Sequence, residues 1–367
     1  MSRIGVLPKQ MLRELIDNHH VDGIKEEHLN PASIDLPLDD EAYRLESIFL
    51  PLRGERIRDL LHLVGATPHN FNNPLEVGVP YLIRVAGKKW ELPSVVYGYA
   101  NPKSSTGRNA FFCRVVADGV DMYDALIGPS WRGEQWVLAR PDCIPVLVQP
   151  GLAVSQMRFF DGKSFLDNIH AEFAINETGL IFGEDGKKVP LPNARMHSDS
   201  FLLTLHVNGG TAHLRKGGFY IMTTVEPVLV PPNFSAELRA IDPRLGEFRS
   251  HSAGYIDPGW GYGKSGEAGG RPITLEITPQ EDMLVRHGQI IARIRFEHMK
   301  EVPEVLYDAA ASNYTDQHTA RLSKHFKKVD DSDIIGWECR GTRKVLDLSK
   351  VNYYEPADFF SPVRAIK

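Results

Sequence analysis

The stretch VQPGLAVSQMRFF, Val148 to Phe160, is written a second time as VRHGQIIARIRFE, Val285 to Glu297. Val148 and Val285, Gly151 and Gly288, Arg158 and Arg295, and Phe159 and Phe296 fall at one spacing, each pair 137 positions apart. Each copy is a glycine turn followed by residues that suit a pleated, half-buried strand. Further out, LPSVVYGYANPKSSTGR (92–108) matches VPPNFSAELRAIDPR (230–244) at a similar offset. VVADGVDMYDALIGPSWRG (115–133) is a looser copy of HSAGYIDPGWGYG (251–263). Self-similarity over a long fixed period marks a duplicated unit. One β domain is therefore expected twice, over residues 1–165 and 166–327, with 328–367 as a C-terminal extension.

Composition agrees with that reading. At 367 residues the chain is too long for one ordinary core and suits about two domains. Hydrophobic residues make up 42% and charged ones 24%, the balance of a soluble globular protein. Segments such as YLIRVAG, SVVYGYA, FLLTLHV, FYIMTTV and IIARIRF are short, β-branched or aromatic, and bounded by turn residues. The one clear helical pattern is N-terminal, with Met11, Leu12, Leu15 and Ile16 on one side. An all-β protein of barrels or sandwiches with a few short helices follows. A net charge of −5 without a dense basic stripe argues against nucleic acid or a membrane surface as the partner. No signal-peptide pattern is visible, so a cytoplasmic protein is expected. Cys113, Cys143 and Cys339 are too few and too scattered for a disulfide framework or a cysteine-rich metal site.

Three constellations carry possible chemistry. In Lys103-Ser104-Ser105-Thr106-Gly107-Arg108, hydroxyls and a glycine sit between two cations. Such a loop can wrap phosphate oxygens, although it is also an ordinary surface loop. Asp257 stands on an Ile-Asp-Pro-Gly turn between Ala253 and Trp260, where the plain alternative is a hairpin corner whose Asp caps its own backbone. Glu276 lies inside Ile273-Thr274-Leu275-Glu276-Ile277. It either faces solvent from an edge strand or faces a pocket, where desolvation would raise its pKa and prepare it to move protons. The triplet His170-Ala171-Glu172 mimics a zinc deaminase, but that chemistry needs a downstream Cys-x-x-Cys, which the chain lacks. No protein-bound metal, and no zinc, is expected.

Together these pieces resemble the dCTP deaminase branch of the dUTPase-like superfamily in a tandem-duplicated form. HSAGYIDPGW is similar to the family's alanine-containing loop, ITLEI to the strand bearing its catalytic glutamate, and KSSTGR to its phosphate loop. Asn30-Pro31-Ala32-Ser33-Ile34-Asp35-Leu36 resembles an early strand of the family. The resemblance covers roughly residues 5–160 and 200–320 and implies two distorted dUTPase-like β-barrels in a homo-oligomer. It also implies deamination of dCTP to dUTP and ammonia without zinc, with Mg²⁺ carried by the triphosphate. Glu276 would activate water against cytosine C4, Asp257 would hold the deoxyribose 3′-hydroxyl, and the backbone near Ala253 would meet base and water. Lys103, Ser105 and Arg108 would bind phosphate, beside Trp260. Tyr307 and Gln317 fit the family's closing tail, with Asn313 where that tail has a lysine.

The two copies depart from the pattern in complementary ways. The first keeps Ser104, Ser105 and an aspartate, Asp121, but has Leu138 at the glutamate's place. The second keeps Glu276 and Asp257, while its phosphate loop, Arg239 to Arg244, retains two arginines and no serine. A composite site follows as the expectation, in which Ser104 of the first copy serves Glu276 of the second. A dUTP-hydrolysing or bifunctional enzyme, and a nucleotide sensor without turnover, stand as the alternatives.

Overall fold

In the computed structural model the described residues run from 4 to 325, except 88, 127–129, 167–173, 177, 191–193, 198, 311–313, 316 and 318, together with strand backbone at 334–338 and 343–346. Two eight-stranded sheets dominate, each a path of seven strands with one short strand, Thr67–Pro68 or Met196–His197, paired off it. The first copy contributes β1 (Ile34–Arg44), β2 (Tyr81–Val85), β3 (Tyr97–Pro102), β4 (Phe111–Ala117), β5 (Ala125–Leu126), β6 (Gln135–Pro141) and β7 (Ala153–Phe160). The second contributes β8 (Ser200–His206), β9 (Tyr220–Thr224), β10 (Phe234–Arg239), β11 (Phe248–Arg249), β12 (Tyr255–Ile256), β13 (Thr274–Pro279) and β14 (Ile290–His298). Their sheet orders are β4-β6-β2-β1-β7-β3-β5 and β11-β13-β9-β8-β14-β10-β12, the same permutation seven strands on. The duplication read from β7 and β14 therefore extends to the whole topology. The fold is all-β, with two barrel-like sheets of one topology.

Register aligns the copies residue by residue. Phe159 faces Gly98, which faces Leu126; Phe296 faces Ala236, which faces Ile256. Phe111 pairs with Pro141 as Phe248 pairs with Pro279, so Leu138 and Glu276, each three residues before that proline, are equivalent. Each barrel has its own apolar core, with Phe159 in one and Phe296 in the other. Helix α1 (Lys9–Asp17) buries Leu12 and Leu15 on the face expected from its pattern. The helix α2 (Ile57–Leu60) lies in an insertion between β1 and β2. No helix among the described residues is long and apolar enough to cross a membrane.

The two barrels are stitched together. Val6 donates its N–H to His298 and accepts from Lys300 in the second copy, while Leu7 donates to Phe159 in the first. Beneath this seam Arg158 is buried between Glu237 at 2.9 Å and Glu297 at 3.1 Å. Burial pushes the Glu237 carboxyl up, but the Arg158 and Arg239 guanidiniums outweigh it and leave it at about 2. Such a pair resists separation, because removing either partner strands a charge away from water.

Candidate active site

A cavity of 290 Å³ opens between the barrels, lined by residues of both copies. From the first copy comes a single helical turn, α3 (Ser104–Gly107), entered through Lys103 directly after β3. Ser104, Ser105 and Arg108 face the cavity, and Lys103 is ion-paired with Asp35 at its edge. The Thr106 hydroxyl donates to the Val154 carbonyl at 2.9 Å and ties the turn to β7. From the second copy come Ala253, Asp257, Trp260, Thr274 and Glu276.

Glu276 is 2% exposed and sits on β13. Its Oε2 accepts from the Ser252 N–H at 2.9 Å and the Ala253 N–H at 3.0 Å. Burial pushes its pKa up; those two N–H groups and the nearby Arg108 and Arg249 hold it back. A carboxylate so placed is oriented yet poised to accept a proton. The two copies pack tightly against each other here. A Cβ added to Gly107 would lie 2.9 Å from Glu276 Oε2 and 3.0 Å from Ala253 Cβ. Gly107 is therefore required for close packing, not for a left-handed backbone.

Asp257 follows β12 on its Pro-Gly turn, and its Oδ1 is closed off from solvent without a hydrogen-bond partner. Burial raises its pKa to about 7, with Asp35 adding to the effect; the Ala32 backbone, Lys103 and Arg158 oppose it. The buried Trp260 Nε1 also lacks a partner. Orphaned polar atoms are uncommon in a finished core, and four residues lining this one cavity carry them, Asp257, Trp260, Thr274 (Oγ1) and Arg108 (Nε), which marks a place for ligand groups. Trp260 packs against Tyr307 with ring centroids 5.3 Å apart.

The C-terminal segment closes the other side. The guanidinium of Arg108 donates to Gln317 Oε1 at 2.9 Å and the Arg321 carbonyl at 3.2 Å, and lies 3.9 Å from the Tyr314 ring centroid. Gln317 also donates to the Pro272 carbonyl at 3.2 Å, so it bridges the two copies. The Ser323 hydroxyl donates to the Ser105 carbonyl at 3.0 Å.

Several expected residues are not brought here. Asp121 is exposed on the turn after β4. Its supposed counterpart Asp257 follows Ile256, and register equates Ile256 with Leu126, so Asp121 lies six positions too early. Arg239 faces Arg293 across the sheet as Asn101 faces Gln156, two residues before Lys103; its guanidinium bonds Glu237 at 2.8 Å. Arg244 is exposed and paired with Asp242 at 2.6 Å. Neither arginine lines the cavity. Leu138 is fully buried with Leu82, Val116 and Trp136 under Ile57 of α2, so the first copy has an apolar plug where the second has its carboxylate. His170, Glu172, Asn313 and Cys339 lie outside the described residues. Gly107, Gln156, Tyr314 and Lys324 also line or abut the cavity. Only Gly107 carried a signal in the sequence, through its place in the KSSTGR loop.

Family models for the 2′-deoxycytidine 5′-triphosphate deaminase N-terminal and C-terminal domains match residues 3–163 and 192–326. The chain belongs to the dCTP deaminase family. A crystal structure of 2′-deoxycytidine 5′-triphosphate deaminase from Agrobacterium tumefaciens is 28% identical, covers 82% of this chain and 99% of its own, and superposes with a TM-score of 0.70. A Staphylococcus bacteriophage 80alpha dUTPase variant with dUpNHpp is 13% identical over 34% of this chain and 86% of its own, with a TM-score of 0.23. No curated protein sequence matches the chain. This member of the dCTP deaminase family is an enzyme whose substrate is dCTP and whose reaction is deamination.

Proposed function

We propose that the enzyme converts dCTP and water to dUTP and ammonia in the cavity between its two copies, with Glu276 as the proton-transfer group and no zinc. The approach of Gly107 to Glu276 carries this reading, because it sets the phosphate-type loop of one copy against the buried carboxylate of the other. Water held by Glu276 attacks C4 of cytosine; Glu276 takes its proton and delivers it to the departing amine. The Ser104 hydroxyl and the backbone at Ala253 orient the water and the base, which lowers the entropic barrier to attack. Asp257 accepts the 3′-hydroxyl, whose donation satisfies the orphaned Oδ1. Lys103, Ser105 and Arg108 neutralise and bond the triphosphate, with Tyr307 and Gln317 closing over it.

The donor set bears on metals. Among the described residues lining the cavity none is Cys or His, the ligands a catalytic zinc usually draws on. Its phosphate end offers cations and hydroxyls, and Asp35 is engaged by Lys103. That set fits Mg²⁺ carried by the triphosphate, which would screen phosphate charge, and assigns the ion no protein ligand. The resemblance implies a homo-oligomer, which would support a cavity whose two halves one chain already supplies.

Steady-state assays of Glu276→Gln and Ser104→Ala test the assignment, reading dUTP and ammonia from dCTP with Mg²⁺ present and zinc chelated. Loss of kcat in both, with dCTP still bound, is the expected result. A Ser104→Ala enzyme at full rate would end the composite site. Pyrophosphate release from dUTP in a parallel tube would add diphosphatase activity.

A further inference from the structure

Behind the Trp260 wall, outside the cavity, lies a buried ion pair that the reaction does not use directly. Arg271 donates to Asp308 through both terminal nitrogens, at 2.6 Å to Oδ1 and 2.8 Å to Oδ2. Asp308 Oδ2 also accepts the Gly263 N–H at 2.8 Å. Both side chains are nearly inaccessible, at 10% and 1% exposure. Arg271 ends the glycine-rich excursion that follows Trp260, and its guanidinium lies 5.8 Å from the Trp260 ring centroid. Asp308 is the residue after Tyr307, at the root of the closing segment. Tyr307 donates its N–H to the Pro258 carbonyl at 2.9 Å, on the turn that carries Asp257. Gly259 has φ +91°, and a Cβ there would lie 2.7 Å from Leu306 Cβ, so turn and segment pack in direct contact.

We propose that Arg271 and Asp308 are a positioning pair: they latch the root of the closing segment to the glycine-rich hairpin and so hold Trp260 and Tyr307 in place as the wall against which dCTP binds. The inference rests on the cavity being the dCTP site. A buried ion pair is a weak source of net stability compared with an apolar pair of similar volume, but its forked hydrogen bonds fix an angle that apolar contacts leave loose. Glu276 is held from the opposite side by Ser252 and Ala253, so the latch acts on binding and not on proton transfer. An interaction equally strong in ground and transition states moves KM and leaves kcat alone.

The test is steady-state deamination by the full-length enzyme with Arg271→Met/Asp308→Leu, which fills the space without charge, and with the single change Asp308→Asn. The double variant is expected to keep a thermal midpoint near that of the parent and to raise KM for dCTP about tenfold, a loss of roughly 1.4 kcal/mol in binding, with kcat within about a factor of two. Asp308→Asn retains one acceptor but leaves the buried Arg271 cation uncompensated, so it should raise KM too and, unlike the double variant, lower the thermal midpoint. Folded variants with unchanged KM, or with kcat lost at unchanged KM, overturn the latch. If Glu276→Gln and Asp257→Asn also leave kcat/KM untouched, the cavity assignment itself has failed and takes the latch with it.

Discussion

Replacing Gly107 by alanine adds one methyl group at the contact between the copies. The new Cβ would stand 2.9 Å from Glu276 Oε2 and 3.0 Å from Ala253 Cβ. Carbon contacts are comfortable at about 3.5–4.0 Å, so the two sides must part by roughly 0.5–1 Å. Glu276 Oε2 is the atom that accepts from Ser252 and Ala253, and any shift strains both hydrogen bonds at 2.9 and 3.0 Å. Misplacing a reacting group by about 1 Å can cost on the order of a hundredfold in rate. The expectation for Gly107→Ala is thus a fall in kcat of about ten- to a hundredfold with KM for dCTP little changed. Overpacking costs about 1–3 kcal/mol. Alanine's better helix propensity in α3 returns up to about 1 kcal/mol, so the protein should stay folded. Ammonia release measured beside urea unfolding separates the two effects. A folded Gly107→Ala enzyme with parental kcat would refute the claim that this contact sets the position of Glu276.

Two further outcomes follow from the same geometry. Asp257 titrates near 7 in the fold against an ordinary 3.8, with Asp35, Lys103, Arg158 and Tyr255 around it. The fold keeps a proton that the unfolded chain has lost, so this group's contribution to stability is full below pH 3.8 and is lost as pH rises through about 7. Asp257→Asn should flatten the dependence of the urea midpoint on pH across that window; an unchanged slope would mean the carboxyl is not desolvated. Leu138→Glu would restore the family's residue type in the first copy but bury an unpaired carboxylate beside Trp136, so destabilisation on the order of 3–5 kcal/mol is expected, with no second active site. Parental stability in urea would show that the position opens to solvent.

Architecture and the chemistry-bearing stretches were legible in the residue order. Strand periodicity and the 148–160/285–297 repeat are local properties, and the fold merely repeats them as two sheets of one order. Asp257 on its turn, Glu276 in its strand and the KSSTGR loop were legible for the same reason: turn chemistry and an acid in an apolar run are written in neighbouring residues. Which surfaces meet is a matter of long-range packing. Arg239 and Arg244 matched a phosphate loop by spacing alone, whereas β10 is registered against β14, and that pairing moves Arg239 two residues away from the place of Lys103. Whether Leu138 left an empty site or a filled one depended on an insertion folding Ile57, 81 positions upstream, over it. The need for glycine at 107 and the bond from Arg108 to Gln317 are contacts across 169 and 209 positions. Local sequence encodes backbone preference and side-chain chemistry. Only long-range packing assigns a side chain its neighbours, and with them its desolvation, its pKa and its work.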